Sequence, residues 1–155
     1  MAASSDLSQR FDGESVGRAL ELVGERWTLL ILREAFFGVR RFGQLVRNLN
    51  IPRPTLSSRL RTLVGAGLLE RVPYSQEPER HEYRLTVAGR DLFGAVVTLM
   101  RWGDEHLPNP DGPPILLRHN GCGEIAEARL ICAHCGDEIT AQNVTPEPGN
   151  GYPPT

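Results

Sequence analysis

The chain has 155 residues, enough for about one domain and a short addition, and its formal net charge is −2. Its composition, 40% hydrophobic and 23% charged, is ordinary for a soluble globular protein, and the N-terminus lacks a signal-like apolar segment. No apolar run approaches the ~20 residues of a membrane span, so we expect a cytoplasmic protein without a membrane partner.

Hydrophobic periodicity predicts four helices in the first half of the chain, over about 15–22, 27–37, 42–49 and 54–64. Ser15 is the expected N-cap of the first helix and Gly24 its end, while Gly38 is the expected C-cap of the second. The residues 48–52 form a tight break before the fourth helix, and Pro54 suits the first turn of that helix.

The fourth helix is predicted to be amphipathic. One side carries large apolar residues at helical spacing: Leu56, Leu60, Leu63 and Val64. The opposite side is small, polar and basic: Thr55, Ser58 and Thr62, flanked by Arg59 and Arg61. We therefore expect the first side to be buried and the second to face a ligand.

Two short extended segments follow, Leu68–Tyr74 and His81–Thr86, joined by a hairpin loop over 75–80. A fifth, long helix is predicted from Val87 to His106, and prolines then form a linker before a cysteine-containing segment. Together these elements predict a mainly α fold with a small β-hairpin. We expect a winged helix-turn-helix with a small Cys-rich C-terminal module.

Acidic residues are absent from one long span: no Asp or Glu occurs between Ala35 and Leu69, although six arginines do. Because phosphates repel carboxylates and attract guanidinium groups, we predict that this span faces double-stranded DNA. The residues predicted to read the major groove are Thr55, Ser58, Arg59 and Thr62, and those predicted to anchor phosphates are Arg41, Arg53 and Arg61. Gln76 and Arg80 of the hairpin are further candidates for contact with DNA.

Other functions stay open at this point. A surface without carboxylates also fits an acidic protein, so the winged helix could be a protein–protein interaction module that does not bind DNA. Cys132 and Cys135 could form a thiol redox pair, although no βαβ pattern surrounds them. We do not expect an enzyme, because the sequence has no Gly-x-Ser-x-Gly, His-Glu-x-x-His or phosphate-binding glycine motif.

Four blocks of the sequence follow one another in a specific order: ALELVGERWTLLILREAFFGVRRFGQL, LSSRLRTLVGAGLLER, EYRLTVAGRDL and MRWGDEHL. They resemble the HxlR-type regulators, which are winged-helix proteins related to the MarR group, and the resemblance covers about residues 14–107. It implies a transcriptional regulator, expected here to be a repressor, that binds DNA as a homodimer. The dimer would form through the first and last helices of this region, 15–23 and 87–106.

The resemblance also bears on the signal that the protein would sense. Many such regulators look redox-sensing through a cysteine just before the first helix, where this chain has Glu14. A carboxylate cannot form a disulfide or a sulfenic acid, so we expect that mode of sensing to be absent. A small-molecule effector stays possible, and its identity is unknown.

All three cysteines follow residue 120 and form two matching half-motifs, His119-x-x-Cys122-Gly and Cys132-x-x-Cys135-Gly. Together they predict a structural Cys3His zinc site, because such spacing lets two side chains reach one ion. His134 competes with His119 as the fourth ligand, and the alternatives are incidental thiols or the redox pair.

The predicted organisation has five parts in chain order. They are a flexible N-terminus (1–13), a winged helix-turn-helix DNA-binding and dimerisation domain (14–107), a Pro-rich linker (108–114), a zinc-ribbon-like module (115–141) and a disordered tail (142–155). The predicted function is that of a sequence-specific regulator of transcription.

Overall fold

The computed structural model describes residues 14–147 and 149–151, so the predicted flexible N-terminus and the last four residues of the predicted tail lie outside the described residues. The elements of the described chain are, in order, α1 (Ser15–Val23), α2 (Arg26–Phe36), α3 (Phe42–Leu49), α4 (Arg53–Gly65), β1 (Leu69–Gln76), β2 (Glu79–Leu85), α5 (Val87–Asp91) and α6 (Phe93–His106). The strands pair antiparallel as a hairpin. This mainly helical arrangement is the predicted winged helix-turn-helix, in which α3 and α4 form the helix-turn-helix and the hairpin is the wing.

An apolar core holds the helix-turn-helix together. It contains the predicted stripe of α4, and its fully buried members come from three helices: Ile31, Leu32, Leu45, Leu56, Leu60 and Leu63. Burying each such side chain contributes about 1.5–3 kcal/mol relative to leaving it in water. The position of α4 against the rest of the domain is therefore set mainly by hydrophobic packing.

A buried carboxylate also ties α2 to α3. Glu34 is 6% exposed, and its two oxygens accept hydrogen bonds from Arg33 at 2.9 Å and from the Asn48 side-chain amide at 2.8 Å. A buried charge is tolerated only when it is paired and hydrogen-bonded in this way. Glu34 is the last acidic residue before the arginine-rich span, Ala35 to Leu69, and it is buried and hydrogen-bonded.

The N-terminus of α1 differs from the prediction. Glu14, not Ser15, is the N-cap: its carboxylate accepts hydrogen bonds from the backbone N–H groups of Val16 and Gly17 at 3.0 and 3.1 Å. Ser15 is already helical, and its hydroxyl accepts from Arg18 instead. A longer acidic side chain can reach the free N–H groups of the first turn, and the helix dipole favours its charge there.

The predicted long loop of the wing is wrong, because the strands continue through most of it. Ser75 pairs with Arg80 and Gln76 with Glu79, so that only Glu77 and Pro78 connect the strands. A two-stranded ribbon that projects into solvent buries little, and its polar sequence therefore lacks the alternation that marks a strand. The register shifts between Pro73 and Ser75, which is a β-bulge at Tyr74.

The predicted single fifth helix is also wrong, since it is divided at Leu92 into α5 and α6. The N–H of Leu92 bonds to the carbonyl of Gly89, a tightened turn that ends α5. Gly89 is buried and lies so close to the Leu68 carbonyl that a Cβ atom there would overlap it. Thr86 caps α5 by accepting from the Gly89 N–H at 3.1 Å.

The chain forms two compact units, one that ends at Val97 and one that begins at Thr98. The division falls inside α6, whereas the predicted end of the DNA-binding domain is residue 107. Beyond α6 the described residues contain no helix or multi-residue strand, only turns and two isolated β-bridges. None of the described helices is long and apolar enough to cross a membrane.

Candidate nucleic-acid interface

A tight turn precedes α4, one face of which is exposed. Asn50 takes the left-handed conformation in this turn, and Pro52 is the last residue before the helix. Because the opposite face is packed into the core, six residues of α4 before its last turn point to solvent: Arg53, Pro54, Ser57, Ser58, Arg61 and Thr62. These side chains are short or positively charged. A helix with such a face can approach base edges closely in a major groove.

The predicted base-reading residues divide into two groups. Ser58 and Thr62 are exposed, and the Thr62 hydroxyl donates to the Ser58 carbonyl at 3.1 Å. Thr55 and Arg59 are half-buried at the edge of the face, where the Arg59 Nε lies 3.6 Å from a Glu25 carboxylate oxygen. The exposed face is therefore turned toward Ser57 and Arg61 relative to the predicted one.

Aromatic rings support the predicted phosphate-anchoring arginines. The Arg41 guanidinium lies 4.4 Å from the centre of the Tyr74 ring, and Arg53 lies 5.7 Å from that of Phe42. Such cation–π contacts orient a guanidinium group without neutralising its charge. Within the described part of the chain, no carboxylate forms an ion pair with Arg41, Arg53 or Arg61.

The wing is fixed beside these arginines by the backbone. The Tyr83 N–H of β2 donates to the Arg40 carbonyl at 2.8 Å, so the segment before α3 runs along the hairpin. The predicted contacts Gln76 and Arg80 are exposed near the hairpin tip. Glu79 faces Gln76 across the hairpin and pairs with His81 at 3.0 Å, which places negative charge beside them.

A cleft of about 340 Å³ lies between α4 and the wing. Its lining includes two arginines, one from each element, together with two hydroxyl-bearing and two apolar residues: Arg61, Arg71, Ser57, Tyr83, Leu60 and Val64. Two guanidinium groups beside hydroxyls can hold an anion such as a phosphate. The sequence prediction missed Ser57 and Arg71. Ser57 is the residue before Ser58, which the prediction chose instead. Arg71 follows Glu70, the first acidic residue after the arginine-rich span.

The predicted metal ligands are brought together as two pairs. The His119 Nδ1 lies 3.3 Å from the Cys122 sulfur. In the second pair, hydrogen bonds from the backbone N–H groups of Cys135 and His134, and from the Cys135 thiol, lower the pKa of the Cys132 thiol. Among the described residues, no three His, Cys, Asp or Glu side chains are grouped as a metal site.

Comparisons with known proteins agree with this geometry. Residues 22–111 match the family model of the HxlR-like helix-turn-helix. The chain is 79% identical to Rv3095, an uncharacterized HTH-type transcriptional regulator of Mycobacterium tuberculosis, over 97% of this chain and 95% of the relative. These proteins are regulators of transcription and not enzymes.

Solved structures give the same result. PA1607, a proposed transcription factor, is 31% identical with a TM-score of 0.79, covering 90% of this chain and 98% of that one. A proposed MarR-family transcriptional regulator from Enterococcus faecalis is 33% identical with a TM-score of 0.54, covering 68% and 93%.

Proposed function

This chain belongs to the HxlR-like helix-turn-helix family of transcriptional regulators, and we propose that it acts as a homodimeric repressor that reads a specific DNA sequence through α4. The observation that carries the proposal is the exposed face of α4, which is polar, basic and free of carboxylates. A DNA duplex carries dense negative charge on its phosphates, so a basic surface without carboxylates is attracted to it.

Within this face, base reading and phosphate anchoring fall to different residues. Ser58 and Thr62 can approach base edges directly, and Thr55 and Arg59 reach them from the edge of the helix. Arg41, Arg53 and Arg61 anchor phosphates, and the cleft that Arg61 shares with Arg71 suits a phosphate oxygen. Gln76 and Arg80 of the wing contact the flanking duplex.

Exposed apolar residues on α1 and α6 support the homodimer. Val16 and Leu20 of α1 are 61% and 54% exposed, and Leu99 and Trp102 of α6 are 54% and 53% exposed. On each helix the two residues are three or four positions apart and so share one face, and an exposed apolar face can mark an interaction surface. These two helices are the ones through which the resemblance implies dimerisation, so a second copy of the chain is the proposed partner for both.

The effector of this regulator is proposed not to be a thiol oxidant acting before α1, because Glu14 caps the helix at that position.

A repressor bound at a promoter excludes the polymerase, and such a protein works in the cytoplasm, where bacterial DNA lies. Fusing the chain's own promoter region to a reporter tests the sign of regulation. Reporter output should rise when the gene that encodes this chain is deleted. A fall in output would indicate an activator.

Footprinting of the DNA upstream of the coding region tests the homodimer and α4 together. We expect protection of two half-sites whose centres lie about one helical turn, 10–10.5 base pairs, apart or a multiple of it. Protection of a single half-site would contradict the dimer. Absence of protection would contradict DNA reading and favour an interaction with an acidic protein.

A further inference from the structure

The segment after α6 contains two turns with the same backbone geometry. In the first, the Gly123 N–H donates to the His119 carbonyl, the His119 N–H donates to the Glu124 carbonyl, and Arg118 bridges to Ile125. Gly123 has a φ of +77°, a conformation that glycine adopts without strain. The backbone thus closes around the side chains of His119 and Cys122.

The second turn repeats each of these bonds thirteen residues later. The Gly136 N–H donates to the Cys132 carbonyl, the Cys132 N–H donates to the Asp137 carbonyl, and Ile131 bridges to Glu138. Gly136 has a φ of +81°. The two turns therefore share a hydrogen-bond pattern and a glycine conformation, and each presents two potential metal ligands three residues apart.

A hydrophobic core cannot account for this order. Between residues 107 and 151 no described residue is buried. Leu117 and Ile139 are half-buried, and other large apolar side chains of the segment are exposed: Ile115, Leu116, Ile125, Leu130, Ile131 and Val144. A segment this small needs a staple in place of a core, such as a disulfide or a structural metal. The three cysteines form no disulfide in the described structure, and a metal bound by them can supply the staple.

We propose that His119, Cys122, Cys132 and Cys135 bind one Zn²⁺ in a tetrahedral, structural site. Zinc–sulfur and zinc–nitrogen bonds of about 2.3 and 2.0 Å give a nitrogen–sulfur separation of about 3.5 Å in a tetrahedron. His119 Nδ1 and the Cys122 sulfur are 3.3 Å apart, which is already close to that separation. No three of these side chains are grouped in the described structure, so the ion would draw the two pairs together, and four protein ligands would leave no position for a reacting water.

The repeat also decides between the two histidines. His119 corresponds to Cys132, the first ligand of the second turn, whereas His134 corresponds to Gly121, a position within the turn. His134 therefore stays outside the metal site.

Native mass spectrometry of the full chain, purified without a metal-affinity column, tests the site directly. We expect one zinc per chain in the natural protein and near zero in the His119→Ala and Cys135→Ser variants. The matched control is His134→Ala, which should keep its zinc. Helical circular dichroism should stay unchanged in all variants, because every described helix ends by His106.

Three results would overturn the proposal. They are a metal-free natural protein, a mass that corresponds to a Cys132–Cys135 disulfide, and zinc lost from His134→Ala but kept in His119→Ala. The zinc content is measured without DNA, so its outcome is independent of the proposed regulator function.

Discussion

Arg59 and Arg61 lie two residues apart on α4 and yet have different surroundings. Arg59 is half-buried beside Glu25, whereas Arg61 is exposed, lines the cleft with Arg71 and has no carboxylate partner in the described chain. Arg59 thus lies at the helix edge beside a carboxylate, while no carboxylate of the described chain neutralises Arg61. We expect the first to contribute to base recognition and the second to phosphate binding.

Alanine substitutions separate these roles. Arg59→Ala should cost about 1–3 kcal/mol on the correct operator and relax specificity at one position, whereas Arg61→Ala should weaken all sequences alike and reduce the salt slope by about one. The measurement is affinity for the operator and for single-base variants at several salt concentrations. Arg90→Ala on α5 removes the same charge and is the control. If Arg59→Ala changes neither affinity nor specificity, the assignment of base reading to this edge is wrong.

Glu14 gives a prediction about pH. Hydrogen bonds from the Val16 N–H and then from the Gly17 N–H lower the pKa of its carboxyl. A lowered pKa means that the cap stabilises the fold above the ordinary glutamate value of about 4.3 and loses this effect as the pH falls through the lower folded value.

Glu14→Gln should therefore reduce the pH dependence of the unfolding free energy below about pH 5, as followed by denaturant titration. The control is Glu21→Gln, which removes an exposed carboxylate of the same helix that does not cap it. An unchanged pH profile in Glu14→Gln would show that the carboxylate does not cap α1.

At the scale of elements, periodicity predicted α2 to α4 well because each buries one face against the core, whereas α1 buries only its C-terminal end at Val23 and leaves Val16 and Leu20 exposed. The leucines of α4 are an example: their spacing fixes which side is buried, and Ser58, Arg61 and Thr62 are then exposed. The rotation of that face toward Ser57 depends on how the helix packs, which residue spacing alone does not specify. The wing tip and the break at Leu92 lack a buried pattern, and so the sequence carries little signal for them.

Gly89→Ala tests the contact that places α5 against the core. The added Cβ would overlap the Leu68 carbonyl oxygen, a backbone atom that cannot rotate away, so we expect a loss of about 1–3 kcal/mol in unfolding free energy. Gly17→Ala is the matched control, since open space surrounds that helical glycine and alanine should stabilise it by up to about 1 kcal/mol. Equal stability of the two variants would contradict the close approach.

At the scale of the whole molecule, the exposed apolar residues of α6 predict the oligomeric state. Replacing Leu99 and Trp102 together by serine should shift the mass measured by light scattering from dimer toward monomer, because it removes apolar contact area from the interface. Operator affinity should also fall in this variant, since each monomer would then bind one half-site by itself. Val144→Ser, which is equally exposed outside these helices, is the control. A monomeric natural protein would contradict the proposed assembly.

Charge distribution, more than total charge, indicated the function of the whole chain. Glu34, the last acidic residue before the arginine-rich span, is buried with Asn48, and Glu25 caps α2 beside Arg59. The dimer and the effector could not be derived from spacing, because both depend on partners outside the chain. The proposed metal site could be predicted from spacing as a set of ligands, and the repeated turns add a shared backbone pattern that spacing does not show.

Fluorescence anisotropy with a labelled fragment of the chain's own promoter region, beside a shuffled fragment of equal composition, tests DNA reading by α4 most directly. We expect tight binding to the promoter fragment at near-physiological salt, weaker binding to the shuffled one, and affinity for both that falls as salt rises. Equal affinity for the two fragments would contradict sequence-specific reading. No binding to either fragment even at low salt would contradict DNA as the ligand of this surface.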